Sequence, residues 1–243
     1  MRTSKSSRNK PHVIAVVKNN YLDISPRVFN MVAGRRGVIF DLDGTLVDME
    51  QANYRLYFEF LKRMYGLEIT EREWKKFFAG RRPQESIPDF LKSKEKEQTI
   101  FDFEKFKLLA GPIKDELISK HLGEVSFLIP GINQFLNRLK KLRNMKLALA
   151  TSTIDCFVKQ ILKYFNTDNY FDIVLTGENV SKGKPNPEIY LKTLKALKLK
   201  SDDCLVFEDS QSGVEAALGA EIDVIKIQSF WVRRSGHHFS TYW

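Results

Sequence analysis

From residue 130 onward the chain alternates short apolar runs with amphipathic stretches, and this alternation constrains the fold more than any other feature. Residues 132–142 read as a helix, 146–150 as a strand, 154–165 as a helix and 171–175 as a strand. Residues 187–197, with Pro187 near the first turn, form the next helix. Strand 204–207, helix 212–218 and strand 223–227 complete the series. Strands joined through helices of this length pair in parallel, with helices on both faces. The expected fold class is therefore α/β, with a Rossmann-like parallel sheet. One more strand, 38–40, stands far upstream, so something is inserted between it and the rest.

The insertion reads as entirely helical. Tyr54, Tyr57, Phe58, Leu61 and the Met64-Tyr65 pair recur at helical spacing until Gly66 stops the run. Thr70 and Glu73 form a capping box ahead of Trp74, Phe77 and Phe78. Further helical pieces fall at 84–91, 99–109 and 113–122. The expected organisation is an α/β core of residues 36–48 and 126–228 interrupted by an α-helical cap at 49–125. A basic extension (1–35) with a short strand at 13–17 precedes it, and an aromatic, basic tail (229–243) follows.

The chain has 243 residues, 43% hydrophobic and 28% charged, which is the composition of a water-soluble globular protein. No apolar run approaches the roughly 20 residues a membrane helix needs. The net charge of +9 favours anionic partners, phosphate esters among them. Part of it is local: Arg2, Lys5, Arg8, Lys10 and Lys18 occur before residue 22 without an acid. That segment reads as an extension or as an organelle transit peptide. It lacks the interleaved aromatics of a single-strand nucleic-acid binder, so nucleic acid is not the expected partner. Cys156 and Cys204 sit in apolar runs and are expected to be reduced core residues of a cytoplasmic protein, a monomer or weak dimer. His237-His238 has no companions at zinc-site spacing.

In open parallel sheets ligands bind beyond the carboxyl ends of the strands. Those ends carry Asp41-Leu42-Asp43-Gly44-Thr45, then Thr151-Ser152-Thr153, Lys184, and Glu208-Asp209-Ser210. Each is ordinary alone. A DxD pair is more often a polar strand end, a Thr or Ser there more often a helix cap, and a loop lysine more often solvated. Two carboxylates at a strand exit also suit a nucleophile, an acid/base and a divalent metal. Taken together, in this order, the four ends supply a nucleophile, a metal cage, a hydroxyl and a cation. Phosphoryl transfer needs that set, because its catalysis is mainly positioning and charge neutralisation.

The sequence resembles the haloacid dehalogenase superfamily of phosphohydrolases. Within it, the chain is similar to the helical-cap branch of β-phosphoglucomutase-like proteins and phosphoglycolate phosphatases. The matching text is VIFDLDGTLVD (38–48), PGINQFLNRLK (130–140), KLALATS (146–152), GKPNPEIY (183–190) and VFEDSQSGVEAALGA (206–220). The resemblance implies that Asp41 is the nucleophile and that Asp43 is the acid/base. It implies Thr151 and Lys184 on the transferring phosphoryl group. Mg²⁺ would be held by Asp41, the Asp43 carbonyl and Asp209, with Glu208 as ligand or supporting partner. Gly44, Ser152, Asn53, Arg81 and Arg82 become substrate-binding candidates, the two arginines as a clamp for a second anionic group or as a solvated turn. Asp48 is expected to cap the first cap helix. The implied partner is a small phosphorylated metabolite, with sugar phosphates among the candidates.

Three departures stand out. Mutases of the branch carry a histidine where this chain has Asn53, and an arginine where it has Pro83. Asparagine cannot titrate near neutrality, so both differences favour a plain phosphatase over a phosphotransferase. Relatives also continue past the strand at 223–227 with an element that closes the sheet edge, which here is expected to stay open.

Overall fold

The computed structural model describes residues 13–17, 26–79, 81–96, 98–125, 127–129 and 131–227. The basic residues Arg2 to Lys10, Lys18 and the tail with His237-His238 lie outside these. The strands are β1 (Val13–Val17), β2 (Gly37–Phe40), β3 (Val47–Asp48), β4 (Phe127–Leu128), β5 (Lys146–Ala150), β6 (Ile173–Leu175), β7 (Cys204–Glu208) and β8 (Asp223–Ile227). The α/β part carries helices α1 (Pro26–Ala33), α6 (Ile132–Lys140), α7 (Asp155–Tyr164), α8 (Glu188–Leu197) and α9 (Gln211–Gly219). Between β3 and β4 lie α2 (Glu50–Tyr65), α3 (Glu71–Glu73), α4 (Pro83–Ser93) and α5 (Phe103–Val125).

Six strands form one parallel sheet in the order β1-β8-β7-β2-β5-β6. Alternation along the strands sorts the core into two faces. Val38, Phe40, Leu147, Leu149, Leu205 and Phe207 join Val28 and Val32 of α1 with residues of α6 and α7. Ile39, Ala148, Ala150 and Val206 join residues of α8 and α9 on the other face. Helices therefore cover both sides, as the sequence predicts. The central β2 pairs Phe40 with Leu149 of β5 and with Phe207 of β7, so the three strands end level. That is the switch point of the sheet, where later strands depart to either side.

Residues 1–35 are not wholly an extension, and β8 is not the edge strand of the sheet. β1 pairs with β8 from Val13↔Val224 to Val17↔Ile227, and α1 buries Val28 and Val32 against the sheet. The closing element comes from the N-terminal side of the chain instead of the C-terminal side.

The cap is held by aromatic rings. Tyr57 packs edge-on against Trp74 and Phe78, at centroid distances of 5.4 and 5.1 Å, and Phe60 meets Phe106 at 4.8 Å. The capping box forms: Thr70 Oγ1 accepts from Glu73 N, and Thr70 N donates to Glu73 Oε2. Trp74–Phe78 then widens into a π-helical turn. The two helices expected at 99–109 and 113–122 are a single helix, α5, begun by Asp102 Oδ1 accepting from Lys105 N. Pro112 does not break it, because Pro112 and Leu108, whose carbonyl it leaves unbonded, both face water. The antiparallel pair β3–β4 brings the two crossings between cap and core side by side.

Neither cysteine is in a disulfide, but only Cys204 is buried; burial pushes its thiol up to about 12. Cys156 is exposed, contrary to expectation, since the buried stripe of α7 is Phe157, Val158, Ile161 and Leu162. Among the described residues, no helix is long and apolar enough to cross a membrane.

Candidate active site

The level ends of β2, β5 and β7 gather the predicted residues. Asp41 follows β2, its N–H donating to Phe207 O at 3.0 Å. The chain then turns sharply: Thr45, Leu46 and Val47 all donate to Leu42 O, and Gly44 takes φ +77°. Lys184 arrives on the loop before α8, buried, with Nζ 2.7 Å from Asp41 Oδ1 and 3.1 Å from Ala150 O. Its third partner is Glu208 Oε1. Glu208 has no exposure at all; it also accepts from Tyr190 OH, Ser210 N and Ser210 Oγ.

Oxygens of Asp41, Glu208 and Asp209 lie within 4.8 Å of one another. With Asp43 beside them, four carboxylates face one lysine. Burial, with Glu208 and Asp43 adding to it, pushes the Asp41 carboxyl well above the carboxylate range, although Lys184 opposes the shift. Asp209 is raised by burial and by the same neighbours. Burial alone would lower the Lys184 ammonium; Asp41 and Glu208 outweigh it and hold the charge in place. Such an excess of oxygen anions is the donor set of a hard divalent cation, which relieves the repulsion when bound. Two glycines make room for the carboxylates themselves. A Cβ on Gly44 would overlap the Asp209 carboxylate, and one on Gly213 would overlap Glu208.

Asp43 is oriented by two groups. Thr153 Oγ1 donates to its Oδ2 at 2.7 Å, and Asn53 Nδ2 reaches its Oδ1 at 3.4 Å. Thr151 is buried at the end of β5, its hydroxyl accepting from Thr153 N. Ser152 sits on the same turn, its carbonyl packed where a side chain on Gly177 would go. Thr153 and Tyr190 escaped the sequence reading as site residues. Both lie within matched or strand-end text, but neither type signals orientation of a carboxylate by itself. Asp48 Oδ1 accepts from Glu50 N in the first turn of α2, although Met49 occupies the capping position.

The arginines depart from expectation. Arg82 is buried, and every N–H of its guanidinium has an acceptor in the protein. No donor remains for a second anion of the substrate. Arg81 is tied within the cap, to Phe77 O and to Asp89 at 2.6 Å.

The sequence model described as haloacid dehalogenase-like hydrolase matches residues 38–227. The chain belongs to this family. As a haloacid dehalogenase-like hydrolase with a helical cap it is a phosphohydrolase, and phosphatases of the family generally use a divalent metal. The hydrolase is 38% identical over 191 residues to the phosphorylated carbohydrates phosphatase of Thermotoga maritima, covering 77% of this chain and 82% of that one. It is 29% identical over 187 residues to the β-phosphoglucomutase of Bacillus subtilis, covering 76% and 80%. The crystal structure of CbbY from Rhodobacter sphaeroides in complex with phosphate shares its fold. The TM-score is 0.73 at 24% identity, over 85% of this chain and 91% of that one.

Proposed function

We propose that this hydrolase is a Mg²⁺-dependent phosphatase of small phosphorylated carbohydrates that works through an aspartyl-phosphate on Asp41. The observation that carries the reading is the buried Asp41–Lys184–Glu208 chain with Asp43 beside it. The 38% identity to a phosphatase named for phosphorylated carbohydrates supports the substrate class.

In this reading an Asp41 carboxylate oxygen attacks phosphorus as the bond from phosphorus to the carbohydrate oxygen breaks. The Asp43 carboxyl gives its proton to the leaving alkoxide. Water then attacks the acyl-phosphate, Asp43 takes its proton, and phosphate leaves with both aspartates restored. Thr151 hydrogen-bonds the phosphoryl oxygens while Lys184 neutralises their charge. Asp41, Asp209 and the Asp43 carbonyl would hold Mg²⁺, which supplies positive charge opposite the phosphoryl group. Glu208, its oxygens already hydrogen-bonded, acts through Lys184. Gly44 clears the space for Asp209, and Asn53 and Ser152 line the approach to Asp43 and Thr151. The enzyme acts in aqueous solution on a small partner, and its expected location is the cytoplasm.

A phosphate-release screen over phosphorylated metabolites with Mg²⁺, with Asp41→Asn as control, tests this. Turnover of sugar phosphates that requires Mg²⁺ and is abolished by Asp41→Asn is the expected result. No turnover, or equal turnover by the variant, overturns it. Release of glucose 6-phosphate in place of free phosphate from β-glucose 1-phosphate would establish a mutase.

A further inference from the structure

Arg82 lies at the start of α4 in the cap, yet most of its partners are in the core. Nη1 donates to Gly177 O at 3.4 Å and Val180 O at 3.2 Å, and Nη2 donates to Ser181 O at 3.2 Å. Nε and Nη2 also grip Glu85 Oε1, at 3.2 and 2.6 Å. The same Glu85 oxygen accepts from Gly183 N at 3.3 Å. A planar fork is therefore clamped between one carboxylate of its own helix and three carbonyls of a single core loop. That loop, 177–183, delivers Lys184. Its start is anchored to the Asp43-orienting turn, with Gly177 N donating to Thr153 O. Two glycines leave space for the guanidinium: a Cβ on Gly183 would lie 2.5 Å from Arg82 Nε, and one on Gly177 3.4 Å from Cδ.

We propose that Arg82, braced by Glu85, is a positioning residue that latches the cap shut on the 177–183 loop and thereby fixes Lys184 against Asp41. The inference rests on the phosphohydrolase reading for its effect on turnover, but the latch itself does not depend on it. A second cap-to-loop contact, Lys107 to Glu178 at 3.3 Å, is partly solvated and contributes little beside a buried fork. Closure through Arg82 explains why the arginine of this turn has no donor left for substrate.

Lysine at position 82 keeps the charge but cannot span three carbonyls and a carboxylate, so Arg82→Lys should not rescue the latch. Gly183→Ala attacks it from the core side.

The test joins hydrogen exchange of the 177–184 segment, measured on the full chain, with steady-state hydrolysis of p-nitrophenyl phosphate in Mg²⁺. Arg82→Ala should speed exchange of that segment at least about 10-fold and lower kcat roughly 10- to 100-fold with KM changed less. Glu85→Gln, which keeps the side-chain shape, should give a smaller change in the same direction and stands in if Arg82→Ala does not fold. Gly183→Ala should be harmful alone and add little to Arg82→Ala, the non-additivity of groups in contact. Unchanged exchange in Arg82→Ala or Glu85→Gln overturns the latch whatever the activity, as does full rescue by Arg82→Lys. Absence of wild-type turnover on every phosphate ester overturns the phosphatase reading instead and leaves exchange to decide the latch.

Discussion

Thr153 Oγ1 donates a 2.7 Å hydrogen bond to Asp43 Oδ2, joining the end of β5 to the loop after β2. The bond holds the proposed acid/base carboxylate in one rotamer before any substrate arrives, and orientation of that kind weighs directly on the rate. Thr153→Val keeps the shape and removes the donor. It should lower kcat roughly 10- to 100-fold with KM little changed, and Thr153→Ser should restore most of the loss. Steady-state kinetics of the three proteins decide the matter; equal kcat values would show that Asp43 needs no such guide.

Gly44 combines φ +77° with a Cα against which the Asp209 carboxylate packs directly. Alanine there is strained twice, by backbone conformation and by overlap with Asp209. Gly44→Ala should displace Asp209 and weaken Mg²⁺ binding roughly 10- to 100-fold, the scale for disturbing a metal site's support. Titration calorimetry with Mg²⁺ reads this without any substrate. Wild-type affinity in the variant would place the cation away from Asp209.

What could be read from sequence was local. Asp41 and Glu208-Asp209 are legible because each sits at the end of a short apolar run, and strand ends at a sheet's switch point converge by topology. Lys184, on a polar loop well past β6, is legible only through the matching text GKPNPEIY. The helical cap was legible from the spacing of Tyr54, Tyr57, Phe58 and Leu61. Arg82 was not, because its charge is visible in the text but the carbonyls that absorb it lie some hundred residues downstream. The apolar run at 13–17 marks a short strand, but its pairing with β8 joins distant parts of the chain, and register across such a distance leaves no local mark. Thr153 reads as one more hydroxyl at a strand end until Asp43 is placed beside it.

β1 covers the edge of β8 with a parallel ladder from Val13 to Val17. Deleting residues 1–20 removes these hydrogen bonds and bares an edge that can pair with other chains. The net loss should be on the order of 3 kcal/mol, lowering Tm by roughly 6–12 °C. Aggregation should rise with protein concentration, while kcat of the soluble fraction stays unchanged, because the edge is remote from the ends of β2 and β5. Thermal melts and light scattering on the truncated chain test this. An unaltered Tm would mean that β1 contributes nothing to the sheet.

Glu50, in the first turn of α2, titrates at about 7 against an ordinary 4.5. Burial is the main cause; the indole N–H of Trp74 donates to its Oε1 and works against the shift, and Asp48 and Asp43 reinforce it. Between pH 4.5 and 7 the unfolded chain releases this proton while the folded chain keeps it. The folded state then binds more protons, so stability falls as pH rises through that window and levels off above it. The whole penalty is about 3 kcal/mol. Glu50→Gln retains a carbonyl for Trp74 and has no charge to bury. It should therefore stabilise the metal-free protein by up to about 3 kcal/mol at pH 8 and by almost nothing at pH 4. Urea unfolding in EDTA at the two pH values measures the difference, and an equal gain at both would show that folding leaves the Glu50 carboxyl at its ordinary value.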